Sequence, residues 1–131
     1  MPDLDADATA RYHAHAEMCK VLTDPKRLML LSELCDAERT VGELAAAIGV
    51  SLPNASQHLA VMRSAGLVAT RREGTSIRYR IAEPAITEAC SIVDGIVRRR
   101  LGQPPSPRLD AVRGPGGRPA EPAPNTIHSP R

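Results

Sequence analysis

Between Ser51 and Arg80 the chain concentrates the side chains best suited to holding a polyanion and reading base edges. Asn54, Ser56, Gln57 and His58 offer short donors and acceptors, with Ser51 before them and Arg63 after. Asn and Gln amides can pair with an adenine edge in the major groove, while hydroxyl and imidazole groups reach phosphates. Arg71, Arg72, Arg78 and Arg80 place four guanidinium groups on either side of Gly74, a set suited to phosphate or minor-groove contact. A second chemistry is carried by thiols. Cys19, Cys35 and Cys90 form no Cys-x-x-Cys pair, and no Walker loop, Gly-x-Ser-x-Gly or His-Glu-x-x-His motif accompanies them, so the chain is not expected to be an enzyme.

The elements that must position these groups are announced by their ends. Thr40 with Glu43 three residues on is a capping box, and Val41, Leu44, Ala45 and Ile48 then share one helical face until Gly49. Ser51 caps the next helix, with Pro53 tolerated in its first turn. Leu52, Ala55, Leu59 and Met62 mark the buried side of that helix, Asn54 and Gln57 lie opposite, and Gly66 closes it. Residues Leu67 to Arg72 read as a strand, Glu73 to Ser76 as a turn, and Ile77 to Ile81 as a returning strand with Ile77, Tyr79 and Ile81 inward and Arg78 and Arg80 outward. A helix, a tight turn, a second helix and an Arg-rich hairpin in that order make a winged helix-turn-helix, and imply double-stranded DNA as the partner.

Ahead of this unit, Arg11 to Leu22 reads as a helix with Tyr12, His15, Cys19 and Leu22 on one face. Asp24-Pro25 starts a second helix through about Cys35, burying Leu28, Leu31 and Cys35 with Leu30 and Leu34 alongside. Pro84 opens a last helix to about Leu101, apolar over so wide an arc that a second copy of the chain is the simplest cover. The fold is therefore expected to be mainly α with a two-stranded β-hairpin, five helices with the hairpin between the fourth and fifth. It should form a homodimer through the first and last helices. Residues 1–10 are expected to be flexible, 11–101 to form the DNA-binding and dimerisation domain, and 102–131, which hold 8 of the 12 prolines, to form a disordered tail.

Charge supports the partner once divided along the chain. From Met1 to Val50 there are 5 Lys/Arg against 9 Asp/Glu, and from Ser51 to Leu101 there are 8 against 4, so the basic excess sits on the second half. Tyr12 and Tyr79 are the sole aromatic residues among Phe, Trp and Tyr, which argues against single-strand binding on stacking platforms. No apolar run approaches the length of about 18 residues that suggests a membrane span, and no signal pattern opens the chain, so a soluble cytoplasmic protein without membrane contact is expected.

With those residues in place, the chain resembles the ArsR/SmtB family of bacterial winged-helix repressors. The resemblance is carried by Val21 to Leu28, Thr40 to Leu44, Ser51 to Leu59, Gly66 to Val68 and Arg71 to Gly74, and spans about Met18 to Leu101. It implies a dimer bound to an operator palindrome and released by a metal, metalloid or thiol-reactive signal. Two departures matter. The helix before the turn carries Glu43-Leu44-Ala45-Ala46-Ala47 where some relatives have Cys-x-Cys, and the last helix has no His where others hold zinc. The pattern from Met18 to Pro25 instead resembles a subset of relatives with one Cys there and one or two early in the last helix.

Cys19 and Cys90, with His15 one turn before Cys19, are thus the expected sensor. Two thiolates and an imidazole suit a soft metal or an arsenite-like metalloid, and a thiol pair equally suits a disulfide or persulfide switch. No cofactor is required for DNA binding itself. The rival readings are a constitutive DNA-binding or architectural protein whose cysteines pack as small hydrophobes, and a thiol-dependent redox protein.

Overall fold

The computed structural model describes residues 6–106. The expectations for residues 1–5 and 107–131 lie outside the described residues. The elements run α1 (Ala6–Val21), α2 (Pro25–Glu33), β1 (Arg39–Thr40), α3 (Val41–Ile48), α4 (Leu52–Ser64), β2 (Val68–Glu73), β3 (Ser76–Ile81) and α5 (Pro84–Leu101). They divide into two compact bodies, one through Pro84 and one from Ala85 on. Among the described residues no helix is long and apolar enough to cross a membrane.

In the first body the caps form as their chemistry dictates. Asp24 accepts from the Lys26 N–H at 2.8 Å to start α2. At α3 the Thr40 hydroxyl accepts from the Glu43 N–H at 3.2 Å, while the Thr40 N–H donates to the Glu43 carboxylate at 2.9 Å. Each contact satisfies a donor that the first helical turn would otherwise leave orphaned. Gly66, at φ 78°, ends α4: its N–H reaches the Arg63 carbonyl and the Leu67 N–H reaches that of Met62, both at 3.0 Å.

The core lies where α2, α3 and α4 meet, with Leu30, Leu31, Leu34, Leu44, Ala45, Ile48, Ala55, Leu59 and Met62 buried and closed from the wing side by Leu67 and Val68. Three expected core positions are corrected. Leu28 is 41 % exposed, Leu52 is 53 % exposed and Ile77 is 45 % exposed. Leu28 and Leu52 sit near the starts of their helices and Ile77 near the wing tip, where periodicity continues but cover within the described residues is incomplete. Cys35, one residue beyond the cap of α2, is half-buried and its thiol lies 3.3 Å from the Leu31 carbonyl.

The sheet has a third strand that sequence patterning missed. Its order is β1-β3-β2, with Arg39 opposite Tyr79 and Thr40 opposite Arg78. β2 and β3 pair from Val68↔Ile81 to Glu73↔Ser76, which leaves a two-residue loop, Gly74-Thr75. Gly74 has φ 63°, the positive value such a tight hairpin loop asks of its first residue.

α1 already includes residues 6–10, ahead of the Arg11 start expected from apolar spacing, because the alanines there are strong helix formers. None of its residues is buried. Ala14, Met18 and Val21 face Ala60, Val61 and Ser64 of α4 across an open apolar groove of about 580 Å³.

In the second body α5 is amphipathic in an unusual sense. Its buried residues are Thr87 and Ser91, while Ile92, Val93, Ile96, Val97 and Leu101 are exposed. Asp94 and Arg98 pair at 2.7 Å one turn apart. Gly102, at φ 68°, caps the helix, with Gln103 N–H donating to the Arg98 carbonyl at 2.9 Å and the Arg98 guanidinium to the Pro104 carbonyl at 2.7 Å. The first residues assigned to the tail therefore complete α5 instead.

Candidate nucleic-acid interface

α4 displays its polar residues because its opposite side is committed to the core. Ala55, Leu59 and Met62 are buried, and at about 100° per residue Gln57 points away from them with Asn54 and Ser56 on the two flanks. All three are exposed. Ser51, also exposed, uses its hydroxyl to accept from the Asn54 N–H at 3.2 Å, so it orients the helix start rather than standing idle. Arg63 is exposed two turns beyond Ser56 on the same flank, in the last turn.

His58 differs from its neighbours. It is half-buried, and its Nδ1 accepts from the Arg27 Nε at 3.3 Å. A second nitrogen of Arg27 donates to the Val21 carbonyl at the end of α1 at 3.2 Å. Arg27 thereby joins α1, α2 and α4, a role that spacing along the chain did not reveal. The sole hint was its place just after the Asp24-Pro25 cap.

The wing arginines, which sequence treats as one basic group, have unlike surroundings. Arg71 and Arg78 stand opposite one another on one face of the hairpin. Arg71 pairs with Glu38 at 2.7 Å and Glu73 at 2.9 Å, and Arg78 lies 3.4 Å from Glu73 and 3.7 Å from Glu43. The hydrogen bonds that Arg71 donates to Glu38 and Glu73 raise its pKa, and the bond accepted from Arg71, with the Arg78 charge, lowers that of Glu73. Glu43 is lowered chiefly by the Thr40 N–H and hydroxyl, with Arg78 adding to it. Arg78, expected to face outward, is half-buried. Arg72 and Arg80 are exposed and make no ion pair among the described residues.

A helix with an exposed polar side, set on a packed helix-turn-helix and flanked by a basic hairpin, is a geometry for docking in the major groove. Residues 24–70 match the model of the bacterial regulatory protein arsR family. The chain is 40 % identical over 91 residues to an uncharacterized HTH-type transcriptional regulator of Mycobacterium tuberculosis, Rv0081, covering 69 % of this chain and 80 % of that protein. The chain belongs to the ArsR family. Its membership makes it a DNA-binding transcriptional regulator of the winged helix-turn-helix class and not an enzyme. A probable mercury resistance operon repressor of Streptomyces lividans is 34 % identical over 88 residues, 67 % of this chain and 66 % of the relative. Among solved structures, the homodimeric winged helix-turn-helix DNA-binding domain Mb0332 of Mycobacterium bovis aligns with a TM-score of 0.69 and 34 % identity, covering 77 % of this chain and 94 % of that one.

As for the thiols of this ArsR-family chain, none is in a disulfide: Cys19 is exposed on α1, Cys35 half-buried after α2 and Cys90 half-buried on α5. His15 is exposed one turn before Cys19. Cys19 and Cys90 belong to different bodies of the chain. Among the described residues no group of three His, Cys, Asp or Glu stands together as a ligand set.

Proposed function

We propose that this chain is a cytoplasmic, homodimeric repressor that binds an operator through α4 and the wing and leaves it on a soft-metal or thiol-reactive signal. The observation that carries the reading is the exposed Gln57 on the side of α4 opposite Ala55, Leu59 and Met62, with exposed Asn54 and Ser56 on its two flanks. Asn54 and Gln57 read bases, while Ser51, Ser56, His58, Arg63 and the wing arginines set position and affinity.

The dimer is built on α1 and α5. Among the described residues none of α1 is fully buried, with Tyr12 56 % exposed, and α5 exposes five large aliphatic residues. Helices so exposed are stable when a second copy covers them, and a two-fold pair also presents two α4 helices to two half-sites.

Cys19 and Cys90, assisted by His15, form the sensor in this reading. Two thiolates with an imidazole are a soft donor set, and a mercury-operon repressor among the relatives supports that chemistry. No cofactor is needed for binding DNA. A ligand bridging α1 and α5 shifts the dimer helices, and through them the spacing of the two α4 helices, by as much as its affinity differs between the two arrangements.

The test is a mobility-shift assay on the DNA upstream of the gene, with the protein reduced, oxidised with polysulfide, or given arsenite or mercuric ion. Parent protein is expected to bind when reduced and to release on at least one treatment. Cys19→Ser and Cys90→Ser should bind and no longer release, and Cys35→Ser should behave as the parent. Equal binding under every treatment would make this a constitutive DNA-binding protein, and normal release by the double Cys19→Ser, Cys90→Ser variant would place the sensor elsewhere.

A further inference from the structure

Arg71 and Arg78 stand directly opposite one another across the hairpin, a like-charge pairing that destabilises a ribbon unless something opposes it. Three carboxylates do so. Glu38 accepts from both Nε and Nη2 of Arg71, at 3.1 and 2.7 Å; Glu73 lies 2.9 Å from Arg71 and 3.4 Å from Arg78; Glu43 lies 3.7 Å from Arg78. Glu38 precedes β1 and Glu43 belongs to the first turn of α3, so these contacts tie the wing to the segment that enters the helix-turn-helix.

The charge balance of this cluster decides what it can do. Two guanidinium groups face three carboxylates, so these five groups are net negative: a phosphate drawn toward Arg71 is repelled by Glu38 and Glu73, and one drawn toward Arg78 by Glu73 and Glu43. Each exposed ion pair is weak alone, but a shared network holds its members in one geometry. Arg72 and Arg80 escape it. Arg72 projects from the opposite face of the ribbon beside exposed Ile77, and Arg80 stands opposite Ala69, with no carboxylate within 4.0 Å of either among the described residues.

We infer that the four wing arginines divide into two pairs: Arg72 and Arg80 meet DNA phosphates, whereas Arg71 and Arg78 are positioning residues that brace the wing through Glu38, Glu73 and Glu43. The division rests on the DNA-binding reading above. It assigns the salt-dependent affinity of the wing to two residues per protomer instead of four.

Affinity for a random-sequence duplex, measured across a salt series, separates the pairs. Each lost phosphate contact flattens the logarithmic salt slope by about 0.9, so Arg72→Gln and Arg80→Gln should each flatten it by roughly two units for a dimer with two wings. Arg71→Gln and Arg78→Gln should weaken binding a few-fold at every salt concentration and leave the slope unchanged, with Arg71→Lys and Arg78→Lys restoring the affinity. A second measurement avoids substitution altogether: phenylglyoxal modification of the parent protein, mapped by mass spectrometry with and without the duplex. DNA should protect Arg72 and Arg80 and leave the rates at Arg71 and Arg78 as they were. Slopes that flatten equally in all four Gln variants, or protection of Arg71 and Arg78 in place of Arg72 and Arg80, would overturn the division while leaving DNA binding intact. A parent protein that binds neither this duplex nor its upstream DNA would overturn both.

Discussion

Replacing Arg27 by Gln tests whether α4 is held in place from behind. The Arg27 side chain donates to the Val21 carbonyl at 3.2 Å and to His58 Nδ1 at 3.3 Å, and so joins the end of α1, the start of α2 and the middle of α4. A well-formed hydrogen bond from a charged donor contributes about 1.5–3 kcal/mol. Both contacts are long for N–H donors and only half-buried, which brings each to about 1 kcal/mol and the pair to about 2 kcal/mol. For a domain near this size, 2 kcal/mol lowers Tm by roughly 8–16 °C, read by circular dichroism at one fixed protomer concentration because assembly also moves Tm. DNA affinity should fall as well. With Nδ1 accepting from Arg27, the neutral His58 ring carries its proton on Nε2 and keeps a donor in a fixed direction; without Arg27 that constraint is lost. Arg27→Lys keeps a cation and one route to either acceptor, and should recover part of both losses. A Gln variant that melts within about 2 °C of the parent, too small a shift for even half a kcal/mol by the same scaling, and binds DNA equally well would refute the bracing role.

Gln57→Ala and Asn54→Ala should each cost about 1–3 kcal/mol per base contact on the upstream site and narrow the gap between cognate and scrambled duplex in a competition titration; unchanged discrimination in both would exclude base readout by this side of α4. Glu43 and Glu73 have lowered pKa values, Glu43 mainly from Thr40 and Glu73 mainly from Arg71. Their contribution to stability is therefore complete above the ordinary glutamate range near pH 4.3 and is lost as pH falls through their lower folded-state values. Thermal melts between pH 6 and pH 3 should fall less steeply for the double Glu43→Gln, Glu73→Gln variant than for the parent, and parallel curves would show that neither carboxylate contributes.

Local chemistry was enough to locate most of the helices and the hairpin. Thr40 with Glu43, Ser51 before Pro53, Asp24 before Pro25 and the glycines at 49, 66 and 74 each act within a few residues, because a cap or a tight turn satisfies backbone groups of its own segment. The polar side of α4 was legible for the same reason: three buried positions at helical spacing oblige Gln57 to face away. Family membership followed from these short motifs in their order.

What the tertiary structure alone decided are the meetings of residues far apart in the chain. Periodicity marks Ile77 and Leu52 as inward, yet both are exposed, since a repeat states which side a residue occupies and not whether a neighbour reaches that side. Arg27 meets His58 across 31 positions, and Arg71 meets Glu38 across 33. Counting charge along the sequence made the wing uniformly basic. Folding brings Glu38 and Glu43 from the acidic first half onto Arg71 and Arg78, while Arg72 and Arg80 are left without an ion pair among the described residues, because electrostatic attraction falls with distance in space and takes no account of distance along the chain.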